Sequence, residues 1–339
     1  MKKHNIYTLG IETSCDDTAA SILLNNKVLS SVISSQDIHK LYGGVVPELA
    51  SREHQKLITP VVNEAIIRSG IDKKQINSVA FTRGPGLLGS LLVGTSFAKS
   101  LSIGLDVPLI EINHMQAHIL SIFIDSDQKP PNFPFLALTV SGGHTQLVIV
   151  KDYFQMEEIG RTLDDAAGEA FDKSGKVIGL DYPSGPIIDK LSKKGDPHAF
   201  KFTKPKVEGL NFSFSGLKTG FMNFIKKKSL ANKDFIKNRI NDICASIQNT
   251  IIDLLIEKII RAVEITQIKH IVICGGVSAN SVLREKINSI GGDNKWKVYF
   301  PKIHYSTDNA AMIGVAGYLK YRDSIISDLS CSATARYKI

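Results

Sequence analysis

The chain is poor in paired cysteines and in long apolar runs, and each shortage excludes a class of protein. Its four cysteines, Cys15, Cys244, Cys274 and Cys331, are scattered and make no Cys-x-x-Cys pair. That pattern argues against a disulfide framework or a zinc knuckle and fits reduced thiols in a cytoplasmic protein. No segment reads as a targeting or membrane element. Lys2, Lys3 and His4 open the chain, but Glu12 soon interrupts the apolar run that follows. The longest apolar helical stretch, Ile251 to Val263, contains Asp253, Glu257, Lys258 and Arg261, so it reads as a core helix. Acid is short relative to base: 33 Asp and Glu against 41 Lys and Arg give a net charge of +8, which favours an anionic partner. At 339 residues, 43% hydrophobic, the chain is long enough for two α/β domains with their own cores.

Three small-residue loops stand out. Leu9-Gly10-Ile11-Glu12-Thr13-Ser14-Cys15-Asp16-Asp17-Thr18 and Leu138-Thr139-Val140-Ser141-Gly142-Gly143-His144-Thr145 both read as strand, small polar turn, strand. A Gly-Gly turn leaves backbone N–H groups free to approach an anion, and Ser or Thr hydroxyls add donors. In Ile271-Val272-Ile273-Cys274-Gly275-Gly276-Val277-Ser278-Ala279-Asn280, a buried strand runs into a Gly pair, with Ser278 expected as a helix N-cap. Such a helix start suits a phosphate or nucleoside. Alone, either hairpin is ordinary; together with the third loop they suggest ligand cradles.

His114 and His118 lie four residues apart, which puts both imidazoles on one helix face, where they can share a metal. Pro47 to Ser69 has helical periodicity, Ser78 to Thr82 reads as a strand, Leu88 to Ile103 as a small-residue helix, and Pro108 to Ile112 as a strand leading to a helix opened by Asn113. Residues 125–134, with Pro130, Pro131 and Pro134, form the best linker. The repeated order on both sides of it predicts a duplicated α/β architecture with a cleft between two lobes. The expected domains are 1–130, carrying His114 and His118, and 131–339, carrying Asp308. The metal would then sit at the seam.

Residues 181–239 differ in character. Lys190, Lys193, Lys194, Lys201, Lys204 and Lys206 are followed by Lys218, Lys226, Lys227, Lys228, Lys233 and Lys237, with Phe200, Phe202, Phe212, Phe214, Phe221 and Phe224 between them. Basic residues mixed with aromatics fit a nucleic-acid surface, or else a solvated face over a phenylalanine core.

The Gly10–Thr18, His114–His118, Val140–Thr145, Asp164–Lys173, Gly275–Asn280 and Thr307–Met312 motifs, in this order over nearly the whole chain, resemble the universal tRNA N6-adenosine threonylcarbamoyltransferase family, bacterial branch. The resemblance implies an actin-like, sugar-kinase-like two-lobed fold with ligand and metal in the interlobe cleft. It implies transfer of threonylcarbamoyl from threonylcarbamoyl-AMP to the exocyclic amine of the adenosine 3′ of the anticodon, in tRNAs reading ANN codons, releasing AMP. It further implies that His114, His118 and Asp308 hold one metal ion, Fe2+ ahead of Zn2+. By the same resemblance Thr139, Val140, Ser141, Gly142, Gly143, Asp172, Gly185, Asp189 and Asn280 hold the adenylate. The partners it implies are tRNA, a paralogous subunit and a small ATPase. Asp17, Ala117 and Ser184 stand where the family usually has Glu, Gly and Gly, and none of the three is an expected ligand.

The implied chemistry is consistent. The donor is a mixed anhydride with a good leaving group, so no strong protein nucleophile is required. Two imidazoles and a carboxylate leave open positions on a metal for a phosphate or carbamoyl oxygen, and an anticodon-loop base can be splayed out at modest cost. Glu12 and the leaving phosphate are the two candidates for taking the amine proton. Three rival readings are weaker. A metalloprotease of the His-Glu-x-x-His type would need Glu where Met115 stands. A kinase or ATPase of the same fold would prefer oxygen ligands for Mg2+. A non-catalytic RNA-binding subunit would have no need of the metal-ligand set.

Overall fold

The computed structural model describes residues 5–125 and 129–339; Lys2, Lys3, His4 and the middle of the linker, residues 126–128, lie outside the described residues. The chain divides into two compact units, one of residues 1–130 with 301–339 and one of residues 131–300.

The first unit runs β1 (Tyr7–Glu12), β2 (Thr18–Leu24), β3 (Lys27–Ser34), α1 (Pro47–Ser69), β4 (Ser78–Gly84), α2 (Leu88–Leu105), β5 (Leu109–Asn113) and α3 (His114–Leu120). The sheet order is β3-β2-β1-β4-β5, with β1 antiparallel to β2 and parallel to β4. Central strands β1, β2 and β4 are buried almost throughout, as strands covered on both faces must be, whereas the edge strand β3 is mostly open. The segment Lys27–Ser34 forms a third strand, reached through a tight turn in which Asn25 takes φ 57. Helix α1 starts with Pro47 at its first position and ends on left-handed Gly70, the stop a helix finds easiest to make. Helix α2 is long and apolar enough to cross a membrane by composition, but it packs on α1 and β4 within this unit.

The second unit runs β6 (Phe135–Val140), β7 (Thr145–Asp152), β8 (Gln155–Arg161), α4 (Ala167–Val177), α5 (Ser184–Ser192), α6 (Ser215–Ala231), α7 (Phe235–Thr266), β9 (His270–Cys274), α8 (Ser281–Asp293) and β10 (Lys297–Tyr299). Its sheet order is β10-β9-β6-β7-β8, again with an antiparallel meander on one side and parallel strands on the other. Read from the meander edge, the two sheets have the same order, so the duplication is real at the level of topology.

The final helix, α9 (Ala310–Arg322), overturns one expectation. Asp308 and α9 were assigned to the second domain, but residues 301–339 fold with the first unit. The reason is steric complementarity: α9 lies on β1, β2 and β4, and a Cβ on Gly10 would collide with the carbonyl of Ala310. Gly314 and Gly317 meet Leu23 and Ala80 just as closely. Small residues on both surfaces let the helix backbone settle on the sheet.

The phenylalanines of the lysine-rich stretch are core, not stacking platforms. Phe212, Phe214 and Phe221 are at most 2% exposed, and Phe200, Phe202 and Phe224 pack into the same cluster with Phe235. Lys226, Lys227 and Lys228 are exposed on α6, while Lys204 is paired with Glu257.

Candidate metal centre and glycine-rich loops

Helix α3 follows β5 directly. Asn113 ends the strand and caps the helix, its Oδ1 accepting from Met115 N at 2.9 Å and Gln116 N at 3.2 Å. One turn apart on α3, His114 and His118 stand with ring centroids 4.7 Å apart and planes nearly perpendicular. Asp308 arrives from just before α9, where Asn309 caps that helix by accepting from Met312 N at 2.9 Å. The Nε2 atoms of His114 and His118 lie 3.5 and 3.0 Å from Asp308 Oδ1, and the three donor atoms fall within 4.8 Å of one another. Both imidazoles are buried, whereas the Asp308 side chain is 30% exposed, so the site opens on the carboxylate side. All three groups belong to the first unit; the expectation of a metal held from both domains is corrected with the placement of α9.

Glu12, 1% exposed, stands behind His114. Its Oε2 accepts from Thr82 Oγ1 at 2.5 Å and lies 3.1 Å from His114 Nδ1, and its Oε1 accepts from Ser14 N at 2.5 Å. Sequence reasoning placed Glu12 here but missed Thr82, which carries no local signal. It also missed His54, a fully buried residue of α1 that receives Thr18 Oγ1 at 2.7 Å and reaches the carbonyl of Cys15 at 3.0 Å. Those contacts fix the turn that follows Glu12.

Burial works to lower the His114 pKa, but the Glu12 and Asp308 carboxylates on either side overrule it and push the imidazole up to about 10. Burial would raise Asp308, yet His114 and His118 hold it well below the usual carboxylate range. Glu12 is likewise held low by His114 against its burial. A buried imidazole pinned between two carboxylates is a place where positive charge is stabilised. With Nδ1 of His114 engaged by a carboxylate, its Nε2 is aimed at the shared position, the arrangement that orients metal-bound histidines. The donor set therefore fits a divalent metal ion.

The second unit gathers backbone instead of charge. Thr139 and Val140 are fully buried, so their side chains face the core, and Thr139 Oγ1 lies 3.4 Å from Cys274 Sγ. Ser141, Gly142 and Gly143 carry the chain out: both glycines are exposed, and a Cβ on either would meet nothing within 4 Å. This turn touches the start of α4, where Gly168 N donates to Ser141 O at 3.1 Å and a Cβ on Gly168 would lie 2.6 Å from that oxygen. Gly275, at φ 87, packs equally tightly against the carbonyl of Val140. Three loops thus converge where β6 and β9 end, the usual ligand address of an open parallel sheet.

The remaining sequence-derived residues form two linked pairs in this unit. Asp172 accepts from Ser184 N at 2.7 Å and from the Gly185 backbone at the start of α5, and burial pushes its carboxyl up. Asp189 accepts from Ser281 Oγ at 2.9 Å, beside Asn280. Asn280 caps α8 by accepting from Leu283 N at 3.0 Å and donates to Gln248 Oε1 at 2.7 Å. Ser278, expected as that cap, is instead buried inside the preceding 3-10 turn. The cap needs extended backbone, which the chain reaches only at Asn280.

Residues 27–315 match the family model of tRNA N6-adenosine threonylcarbamoyltransferase. A protein of that name from Christiangramia forsetii is 58% identical over the full length of both chains. One from Riemerella anatipestifer is 57% identical over 98% of this chain and 97% of its own. In fold, the chain is similar to a ROK hexokinase from Thermus thermophilus, with a TM-score of 0.52 at 12% identity, covering 94% of this chain and 100% of that one. The duplicated α/β plan is thus of the actin-like, sugar-kinase-like type, and the chain belongs to the tRNA N6-adenosine threonylcarbamoyltransferase family.

Proposed function

We propose that this transferase takes its threonylcarbamoyl group from threonylcarbamoyl-AMP and delivers it to the adenosine 3′ of the anticodon in tRNAs reading ANN codons. The observation that carries this reading is the convergence of His114, His118 and Asp308 on one point with an exposed side. Those three residues hold one ion, Fe2+ or Zn2+. When bound, such an ion polarises an oxygen of the donor and offsets the charge that develops there.

The protein's own residues set up the rest. Ser141, Gly142 and Gly143 present backbone donors to the phosphate, with Asp172, Gly185, Asp189 and Asn280 ordering the helix starts around the nucleoside. Asn280 acts mainly through its backbone and neighbours, because its side chain is already used as a cap and toward Gln248. The tRNA amine attacks the carbamoyl carbon, the bond from that carbon to the phosphate oxygen breaks, and AMP departs. Glu12 is poorly suited to take the amine proton, since it is buried behind His114, whose charge holds it in the ionised form. It positions His114, and the proton leaves with the phosphate.

The exposed Lys226, Lys227 and Lys228 on α6 are candidates for tRNA phosphates, and counterion release makes such binding steeply salt-dependent. Four free cysteines fit a cytoplasmic setting, and a paralogous subunit and a small ATPase are the expected helpers. The test is reconstitution on unmodified tRNA with threonine, bicarbonate, ATP, the adenylate-forming enzyme and those helpers. Omitting this chain should abolish threonylcarbamoyladenosine in the digested tRNA; product formed without it would overturn the reading.

A further inference from the structure

The segment 332–338 packs against the start of the helix that carries His114 and His118 and against the loop after β4 beside it. The first point is Asn113. Its Oδ1 caps α3, while its Nδ2 donates outward to the carbonyls of Lys338 at 3.0 Å and Tyr337 at 3.4 Å. One 3% exposed amide therefore joins this segment to the first turn of the helix bearing both imidazoles. The second point is the loop after β4. Thr334 N donates to Arg83 O at 2.9 Å, and Gly86 N donates to Ala335 O at 3.2 Å. The far side of this loop holds Ser14, whose carbonyl receives Leu87 N at 2.8 Å. Ser14 Oγ in turn lies 3.3 Å from His114 Nδ1.

The fit is close enough to be specific. A Cβ on Gly84, at φ 154, would collide with the carbonyl of Thr334. Side chains add a clamp: Arg83 pairs with Glu111 at 2.8 Å, donates to Ser332 O at 2.9 Å and lies 4.8 Å from the Tyr337 ring centre, and Tyr337 Oη reaches Glu111 at 3.2 Å. Ser332 and Tyr337 thus engage both members of an ion pair whose side chains are only 25% and 19% exposed, which exceeds what a loose surface segment makes.

We propose that segment 332–338 is a strap that positions α3, with Asn113 as the residue that transmits its hold to His114 and His118. The proposal rests on the metal-site reading for its functional consequence, but not for the anchoring itself. Asn113 is a positioning residue. With the strap bound, its amide is fixed on both sides and the helix starts in one orientation. With the strap gone, the cap acceptor remains but swings with its donor side free.

Asn113→Asp separates these roles, because the carboxylate still caps the helix while the donor toward Tyr337 and Lys338 is lost. Two measurements follow, on this variant, on the chain lacking residues 332–339 and on the double variant. Amide hydrogen exchange in the metal-free protein should be at least tenfold faster over 114–120 in all three, with the second unit unchanged. Titration with Co2+ should show about tenfold weaker binding and a shifted visible absorption band, and the double variant should be no worse than the deletion alone. Unchanged exchange over 114–120 would overturn the strap. So would equal Co2+ affinity and spectrum in a wild type that binds Co2+ and in the deletion. If exchange responds while the wild type takes up no Co2+, the anchoring stands and the metal-site reading fails.

Discussion

In the first unit the turn after β1 covers a buried carboxylate and is itself closed in, with Thr13 and Ser14 at most 2% exposed; in the second, the matching turn after β6 holds out bare glycines with open space beside them. The strands around the two turns share one order and one pattern of parallel and antiparallel pairing. Topology thus supplies the same address twice, at the ends of the parallel strands. What differs is the charge placed under each. Glu12 and Asp308 set carboxylates against His114 at the first address, whereas the second presents bare backbone with open space beside it. The site helix α3 also has no counterpart, because after β10 the chain passes into the first unit.

The sharpest way to break this division is Asp308→Ala. It should empty the cation site, taking metal content from about one ion per chain to none by elemental analysis, with transfer activity falling more than about 100-fold. AMP binding by calorimetry should remain. Loss of both together would mean that the two addresses are not independent.

Glu12→Gln comes next in size. The amide can still take a bond from Thr82 but orients His114 less firmly, so metal affinity should fall roughly 10- to 100-fold. If metal affinity held while turnover at saturating metal collapsed, Glu12 would be the proton acceptor after all.

At the glycine turn, Gly143→Ala should weaken AMP binding about tenfold while leaving the melting temperature unchanged, because the added Cβ meets no protein atom within 4 Å. Gly168→Ala should instead destabilise the fold by about 1–3 kcal/mol, since its Cβ would press on Ser141 O. A pair of variants that both unfold would show that the turn is structural.

The smallest effect is on pH. In metal-free protein His114 is raised to about 10, so its ion pairs stabilise the fold fully below the ordinary histidine range and are lost as pH climbs through 10. Melting of the metal-free chain should therefore weaken between pH 7 and 10 by at least about 1 kcal/mol. His114→Gln should flatten that slope; an unchanged slope would place the titration elsewhere.

Much of this was legible in the residues. The span of α1, the capping role of Asn113 and the pairing of His114 with His118 follow from local rules of periodicity and capping. The duplicated turns were legible too, because strand and turn chemistry acts over a few residues. The home of α9 was not. Nothing within Ala310–Arg322 says which sheet it will cover; the answer lies in Gly10, about three hundred residues away, whose missing side chain leaves the room. The phenylalanines of α6 and its surroundings stayed open between stacking surface and core, since lysine neighbours mark which face is wet but not where the rings go. Glu12 was found by its motif, yet its role as a support for His114 depends on Thr82 and Ser14, contacts that no spacing encodes.

The interrupted first unit also orders events during synthesis. His114 and His118 leave the ribosome early, but Asp308 and the glycine-spaced helix that seats it follow only after residues 131–300 have been made. A nascent chain growing at about 5–20 residues per second therefore spends roughly ten seconds or more with two ligands and an uncovered sheet. Assembly of the three-residue group is thereby tied to synthesis of Asp308 and the helix after it, so a chain cut short before residue 308 carries two of its three members and no helix to seat the third.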